Sequence, residues 1–144
     1  MFKLSKLADY GTQIMACLAR EPDRVMSAAE IALETRLAPP TVSKVLKLLG
    51  RQTLVSAQRG KYGGYLLARR PGQISLVEII DAVEGRYGLT ECASAPGLCR
   101  QESSCAVRGH WLRVDRALRR TLEGLTLKQM LEPESTAKTA IVFR

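Results

Sequence analysis

Apolar residues recur at steps of three and four near the start of this chain, which is the spacing of one face of an α-helix. The stripe predicts an amphipathic helix over residues 1–20, and it consists of Leu4, Leu7, Gly11, Ile14 and Leu18. Asp9 falls off this stripe, whereas Cys17 lies beside Ile14 and Leu18 and is expected in the core. Glu21-Pro22-Asp23 then breaks the helix.

Two further short helices are predicted next, joined by a tight turn. Ser27 and Glu30 have the spacing of a capping box, so a second helix is expected from there to about Thr35. A third is expected from Pro40 to about Arg51, because proline is tolerated in a first helical turn. Its buried positions are Val42, Val45, Leu46 and Leu49, and its outward positions are Thr41, Ser43, Lys44, Lys47 and Arg51. Basic and small polar residues on the free face of the second of two such helices indicate a helix-turn-helix.

A β-hairpin is expected directly after this pair of helices. Two β-prone runs, residues 54–58 and 65–68, flank a glycine-rich, basic tip that contains Arg59, Lys61 and Tyr62. A hairpin in this position is the wing of a winged helix. In that arrangement the third helix enters the major groove, and the tip reaches the DNA backbone or the minor groove.

The last part of the chain contains a second long apolar stripe. Ser75 caps a short helix that is expected to end near Glu84. After residue 105 a helix is predicted whose apolar positions are Val107, Trp111, Val114, Leu118, Leu122 and Leu125. A small domain has little core left for this stripe to cover, so Trp111, Val114, Leu118, Leu122 and Leu125 are expected to form a dimer interface. The other possibility is that the helix packs back on its own domain.

The charge of the chain is concentrated in its first half. Residues 1–72 carry 12 Lys and Arg against 5 Asp and Glu, whereas residues 73–144 carry 10 against 9. No acidic residue occurs between Glu34 and Glu78. A one-sided basic block of this kind is typical of a protein that binds a polyanion, and here the helix-turn-helix pattern makes double-stranded DNA the expected partner.

Three of the four cysteines fall in one short irregular stretch. Cys92, Cys99 and Cys105 are separated by six and five residues, and the only histidine, His110, follows. Thiolates this close on a loop can converge on one metal centre. Three alternatives stay open: a structural zinc site, which usually has tighter cysteine pairs, a thiol–disulfide switch without metal, and ordinary buried cysteines.

The composition argues against several other classes of protein. The chain opens without a signal-peptide pattern and has no run of 18 apolar residues, so a cytoplasmic protein with no membrane partner is expected. With one histidine and no catalytic signature, we expect neither an enzyme nor a small-molecule substrate.

Together these motifs resemble the winged-helix iron–sulfur regulators that include IscR and NsrR. The resemblance covers roughly residues 1–131 and is carried by Leu4–Gly11, Pro40–Lys47, Arg59–Leu67 and the three loop cysteines. The chain is most similar to the branch that regulates SUF-type iron–sulfur cluster assembly. The resemblance implies a homodimeric transcriptional regulator, expected to be a repressor. Its binding to operator DNA would depend on a [2Fe-2S] or [4Fe-4S] cluster held by Cys92, Cys99 and Cys105. A related possibility is a repressor that responds to nitric oxide or redox state.

The resemblance leaves the fourth ligand open between two residues. In the IscR pattern a histidine stands three residues after the last cysteine, but this chain has Arg108 there and its histidine at position 110. In the NsrR pattern the ligand is an aspartate just before Tyr-Gly in the first helix of the partner subunit, and Asp9 matches it. Asp9 is the first choice and His110 the alternative.

The predicted fold is mainly α with a small β-hairpin: a winged helix-turn-helix domain plus a long C-terminal dimerisation helix. We assign residues 1–85 to the DNA-binding domain and residues 86–106 to a cysteine loop that binds the cluster. Residues 107–131 form the dimerisation helix, and residues 132–144 are expected to be a flexible tail.

Overall fold

A computed structural model describes residues 3–86 and 88–133 of the chain. The predicted tail therefore lies outside the described residues from residue 134 onward. The first helix, α1, spans Lys6–Arg20, and not the full range 1–20 that the stripe predicts. It begins at Lys6 because the Ser5 hydroxyl accepts a hydrogen bond from the Ala8 N–H at 3.1 Å, which caps the helix. No helix in the described ranges is long and apolar enough to cross a membrane.

The next two helices follow the prediction closely. Helix α2 spans Ala28–Thr35 and begins with the expected capping box, in which the Ser27 N–H donates to Glu30 at 2.7 Å. Helix α3 spans Pro39–Arg51, with both prolines in its first turn. Its four predicted core residues are at most 1% exposed, so the predicted burial of this helix is confirmed.

A two-stranded antiparallel hairpin follows α3. Strand β1 spans Val55–Gln58 and β2 spans Gly64–Leu67, and Val55 pairs with Leu67. Tyr65 also pairs on its other side with Met26, through an N–H···O bond in each direction (2.7 and 2.9 Å). Gly64 is needed here, because a Cβ at this position would lie 2.4 Å from the Met26 carbonyl oxygen. The mainly helical winged helix-turn-helix fold is confirmed.

Helix α4 spans Leu76–Glu84 and adds buried residues to the core of the DNA-binding domain, and a single helical turn, α5, follows at Glu91–Ser94. It packs against α1 and α3. Contact with α1 is closest at Gly11, where an added Cβ would lie 2.9 Å from a methyl carbon of Val83. Cys17 is 7% exposed in this core, as predicted.

The C-terminal region contains two helices where the sequence predicts one. Helix α6 spans Arg108–Glu123, and a separate helix α7 spans Leu127–Leu131. The break occurs at Gly124, after which Thr126 and Gln129 form a capping box that starts α7. Leu127 is fully buried in the core, and its N–H donates to the Ile74 carbonyl at 2.8 Å. The end of the predicted dimerisation region therefore packs on its own domain.

Candidate nucleic-acid interface and cysteine loop

The outward face of α3 is largely open to solvent. Thr41 is half-buried, and the other four predicted contact residues, Ser43, Lys44, Lys47 and Arg51, are exposed. The helix is held from behind by its apolar residues, so the basic and hydroxyl side chains project from a fixed support. This is the geometry that a helix needs in order to enter the major groove.

The wing extends the same basic surface. Arg59, Lys61 and Tyr62 are exposed at its tip, and Tyr62 is the most exposed of the described large apolar and aromatic residues at 86%. The Lys61 ammonium lies 5.6 Å from the centre of the Tyr62 ring, within cation–π distance. Gly60 has φ +119°, a conformation that glycine adopts without strain, and this allows the tight turn at the tip.

The positive charges of α3 and the wing are not neutralised within the described part of the chain. The ion pairs found there do not involve Lys44, Lys47, Arg51, Arg59 or Lys61. Arg69, at the base of the wing, does pair with Glu78 on α4 at 2.7 Å. Partial burial alone would raise the pKa of the Glu78 carboxyl, but hydrogen bonds from Ser75 and Arg69 outweigh it and hold that pKa below its ordinary value.

The cysteine loop is more ordered than a simple irregular segment. Cys92 lies on a single helical turn, α5, that spans Glu91–Ser94, whereas Cys99 and Cys105 lie in turns. All three are half-buried and free of disulfide bonds. Within residues 3–86 and 88–133, no three Cys, His, Asp or Glu side chains are grouped closely enough to hold a metal ion. The structure of one subunit therefore does not bring the three predicted ligands together.

Glu102, between the second and third cysteines, links residue 97 of the loop to the start of α6 through hydrogen bonds. Its carboxylate accepts hydrogen bonds from the Gly97 N–H and from an Arg108 Nη, both at 2.6 Å. The Arg108 Nε is buried and has no hydrogen-bond partner among the described residues. At the position where the IscR pattern has a histidine, this chain therefore has an arginine that closes the loop through a carboxylate.

The two candidates for the fourth ligand lie on different helices. Asp9 is exposed in the first turn of α1 and accepts a hydrogen bond from Gln13 at 3.1 Å. His110 is exposed in the first turn of α6. In the described ranges neither joins two of the cysteines in a metal-binding group, so the choice between them stays a prediction.

Much of the predicted dimer face of α6 is exposed to solvent in a single subunit. Trp111, Val114, Leu118 and Leu125 are between 41% and 46% exposed, and no residue of α6 is fully buried. Leu122 is half-buried, and together with Val77 and Ile80 of α4 it lines a small cleft of about 80 Å³. Leu118 also lines this cleft, so the stripe is partly exposed and partly in contact with its own domain, and the two parts meet at Leu118.

Helix α6 is attached to α4 by an ion pair that the sequence pattern does not indicate. The Arg119 guanidinium donates to both oxygens of Asp81, with shortest distances of 2.8 and 3.0 Å. Partial burial raises the pKa of the Asp81 carboxyl above its ordinary value, and the nearby Arg119 offsets only part of that effect. Nothing in the sequence signals this pair, because its members are 38 residues apart.

A second unpredicted contact joins α6 to the start of the cysteine loop. Asp115 Oδ1 accepts a hydrogen bond from the Leu89 N–H at 2.9 Å. Asp115 is one helical turn before Arg119 and lies on the same face of α6. This face therefore contacts both the loop and the DNA-binding domain.

The chain matches, over residues 4–133, the Rrf2 family, which is described as iron-dependent transcriptional regulators. It is 28% identical over 144 residues to the HTH-type transcriptional regulator NsrR of Halalkalibacterium halodurans, covering 99% of each chain. The NsrR and CymR relatives are named as HTH-type transcriptional regulators, in agreement with the prediction that the chain is not an enzyme.

Two solved structures have the same fold over nearly the whole chain. The structure of CymR, the global cysteine regulator of B. subtilis, matches with a TM-score of 0.72 and 27% identity, covering 91% of this chain and 97% of that one. IscR of T. potens matches with a TM-score of 0.72 and 28% identity, covering 96% and 93%. The chain thus belongs to the Rrf2 family of winged-helix, DNA-binding transcriptional regulators.

Proposed function

We propose that this regulator binds operator DNA as a homodimer and that an iron–sulfur cluster in its cysteine loop controls the affinity. We further propose that it represses genes for SUF-type iron–sulfur cluster assembly. The observation that carries the proposal is the combination of a free basic recognition surface with three free thiols in one short segment.

Two properties of α3 and the wing support DNA binding: α3 is anchored in the core, and both elements carry basic side chains that no described ion pair neutralises. The recognition helix is anchored by fully buried apolar residues, and its polar face and the wing tip are open to solvent. We assign base contacts to Thr41, Ser43 and Lys44 near the start of α3, since residues there reach base edges first. Lys47, Arg51, Arg59, Lys61 and Tyr62 are assigned to the sugar–phosphate backbone.

A homodimer is supported by the exposed apolar residues of α6 and by Leu125, which follows the end of α6. A tryptophan, a valine and two leucines left open on one stretch are typical of a protein–protein interface. A second copy of the same helix presents the same residues, so a two-fold interface can cover both stripes at once. The dimer also supplies two recognition helices, which a symmetric operator requires.

The chemistry of the donor set fits an iron–sulfur cluster. Cys92, Cys99 and Cys105 are free thiols with partial access to solvent, and thiolates are the ligands that such clusters take. A fourth ligand would come from Asp9 of the partner subunit or from His110. A bound cluster supplies an oxidisable, detachable cross-link among these residues. Because one subunit does not group them, we infer that assembling the site requires the loop to close and, with Asp9, a second copy.

The proposal of SUF-type target genes and of repression rests on the resemblance to the regulators of SUF-type cluster assembly. That resemblance includes the wing and the spacing of the cysteines. Similarity to NsrR over the whole chain leaves nitric oxide or redox state as alternative signals for the same cluster.

A thiol switch without metal is the second candidate function. It is favoured by the three free, partly exposed thiols of the loop and by the similarity to CymR, the global cysteine regulator of B. subtilis. In this case the same loop would respond through cysteine oxidation.

Anaerobic purification separates these candidates. The proposal predicts a coloured protein with visible absorption, acid-labile sulfide and iron in stoichiometric amounts. A colourless protein with one zinc per subunit would indicate a structural zinc site instead. A colourless, metal-free protein whose DNA affinity changes with thiol oxidation would support the thiol switch.

A further inference from the structure

Two charged side chains on α6 form hydrogen bonds with two different parts of the molecule, the start of the cysteine loop and helix α4. Asp115 accepts a hydrogen bond from the Leu89 N–H at 2.9 Å, and Arg119 binds both oxygens of Asp81. Residues four apart on a helix lie next to each other on one face. The cysteine loop and the DNA-binding domain are therefore both attached to the same short section of α6.

The segment between Cys92 and Leu89 is a compact turn that would move as a unit. The Gly88 N–H donates to the Ser94 hydroxyl at 2.9 Å, and that hydroxyl donates to the Thr90 carbonyl at 3.0 Å. A Cβ at Gly88 would lie 2.4 Å from the Ala93 carbonyl carbon, so the backbone at residue 88 contacts α5 directly. The Cys92 sulfur is itself 3.2 Å from the Thr90 hydroxyl. Because these contacts join residues 88–94 in one turn, a displacement of Cys92 would also displace Leu89.

The contact between Arg119 and Asp81 is built to fix an orientation. Arg119 Nη1 donates to Asp81 Oδ2 at 3.1 Å and Nη2 donates to Oδ1 at 3.0 Å, and two parallel hydrogen bonds of this kind define an angle as well as a distance. Burial raises the pKa of Asp81 despite its partner, which means that desolvation offsets much of the attraction. The two-point contact fixes the angle between α6 and α4.

That angle matters because α4 packs against both α1 and the recognition helix α3. In a homodimer formed through α6, the angle between α6 and α4 determines how far apart the two recognition helices lie. Two half-sites on DNA occur at a fixed distance, so a small change in this angle alters affinity.

We infer that Asp115 and Arg119 are the positioning residues that transmit the state of the cysteine loop to the DNA-binding domain. Asp115 senses the loop through Leu89, and Arg119 transfers the change to α4 through Asp81. The inference rests on the proposed function and specifies how the cluster would regulate DNA binding.

The test compares operator affinity of anaerobically purified and cluster-free protein for wild type and for Arg119→Gln. Arg120→Gln is the matched control, because Arg120 is the next residue, is exposed and loses the same charge. In wild type and in the control we expect the two affinities to differ by a factor within the usual range for allosteric coupling, about 5- to 150-fold. In Arg119→Gln we expect the cluster-loaded and cluster-free forms to bind the operator with affinities that differ by less than about twofold. The visible spectrum and the dimer should be unchanged.

If Arg119→Gln fails to fold, the double variant Asp81→Asn with Arg119→Gln replaces it, since this variant leaves no unpaired charge in the half-buried site. A second measurement needs no variant: the amide exchange rate of Leu89 in wild type should differ by at least about fivefold between cluster-loaded and cluster-free protein.

The outcomes separate failure of the inference from failure of the proposed function. If wild type binds no cluster, or binds DNA equally with and without it, the proposed function is wrong. If wild type shows the difference and Arg119→Gln or the double variant keeps it in full, the inference is overturned. Equal exchange at Leu89 in the two forms overturns it as well.

Discussion

Removal of the wing-tip lysine tests whether the hairpin contacts the DNA backbone. Lys61 is exposed, and no ion pair of the described residues involves it. Each phosphate neutralised on B-DNA contributes about −0.9 to the slope of log K against log salt concentration. Five basic residues per subunit, and so about ten in a homodimer, would give a slope of about −9 if each one contacts a phosphate. Lys61→Ala removes two of these contacts and should flatten the slope by about 1.8.

This change is large enough to measure. Between 50 and 200 mM salt, the loss of affinity in Lys61→Ala should be about 12-fold smaller than in wild type. Fluorescence anisotropy with a labelled duplex, repeated at four or more salt concentrations, gives the slope directly. Arg113→Ala is the control, since Arg113 is exposed on α6, on the side away from the apolar stripe, and removes the same charge. An unchanged slope in Lys61→Ala, or an equal change in the control, would show that the wing does not contact the DNA backbone.

Three further predictions follow from the recognition helix, the dimer face and the cap of α4. Ser43→Ala should lose about 1 to 3 kcal/mol at one or two operator positions, whereas an equal loss across all operator variants would mean that Ser43 contacts only phosphate. Leu118→Glu should convert the dimer to monomer in sedimentation experiments, because a carboxylate cannot be buried without a partner, and a dimer that persists would move the interface elsewhere. Glu78→Gln should destabilise the cluster-free protein by about 0.2 to 1 kcal/mol near neutral pH, because it removes the charge that pairs with Arg69 and can still form the capping box. The pKa of Glu78 is held low in the folded state, so its contribution is present above the ordinary pKa and is lost as pH falls through the folded value. Denaturation curves that give the same difference at low and neutral pH would contradict this.

Local signals in the sequence predict most of the DNA-binding domain. Ser27 with Glu30 and Ser75 with Glu78 form the capping boxes that their spacing indicates, and α3 buries the four expected residues. The apolar stripe predicts too early a start for α1 because it continues back to Leu4, whereas the cap at Ser5 decides where the helix begins. Capping competes with periodicity at helix ends, so the stripe alone does not fix them.

The C-terminal region was harder to predict because its structure depends on distant contacts. The apolar stripe continues past Gly124, but Leu127 packs in the core beside residues 50 or more positions earlier in the chain, such as Ile74. The Thr126–Gln129 capping box is a local signal that could have located the break. No comparable signal exists for Arg119 with Asp81 or for Asp115 with Leu89, since partners 38 and 26 residues apart are brought together only by the fold.

The central claim is that a cluster held by the loop cysteines controls binding to DNA. The most direct test is the operator affinity of anaerobically purified wild type and of Cys92→Ala, Cys99→Ala and Cys105→Ala, each checked for colour, iron and sulfide. Cys17→Ala is the control, because Cys17 is buried in the core and should not be a ligand. The account predicts that the three loop variants are folded, colourless dimers with altered operator affinity, and that Cys17→Ala is coloured and binds as wild type does. Loop variants that bind the operator with the affinity of the cluster-loaded wild type would contradict it.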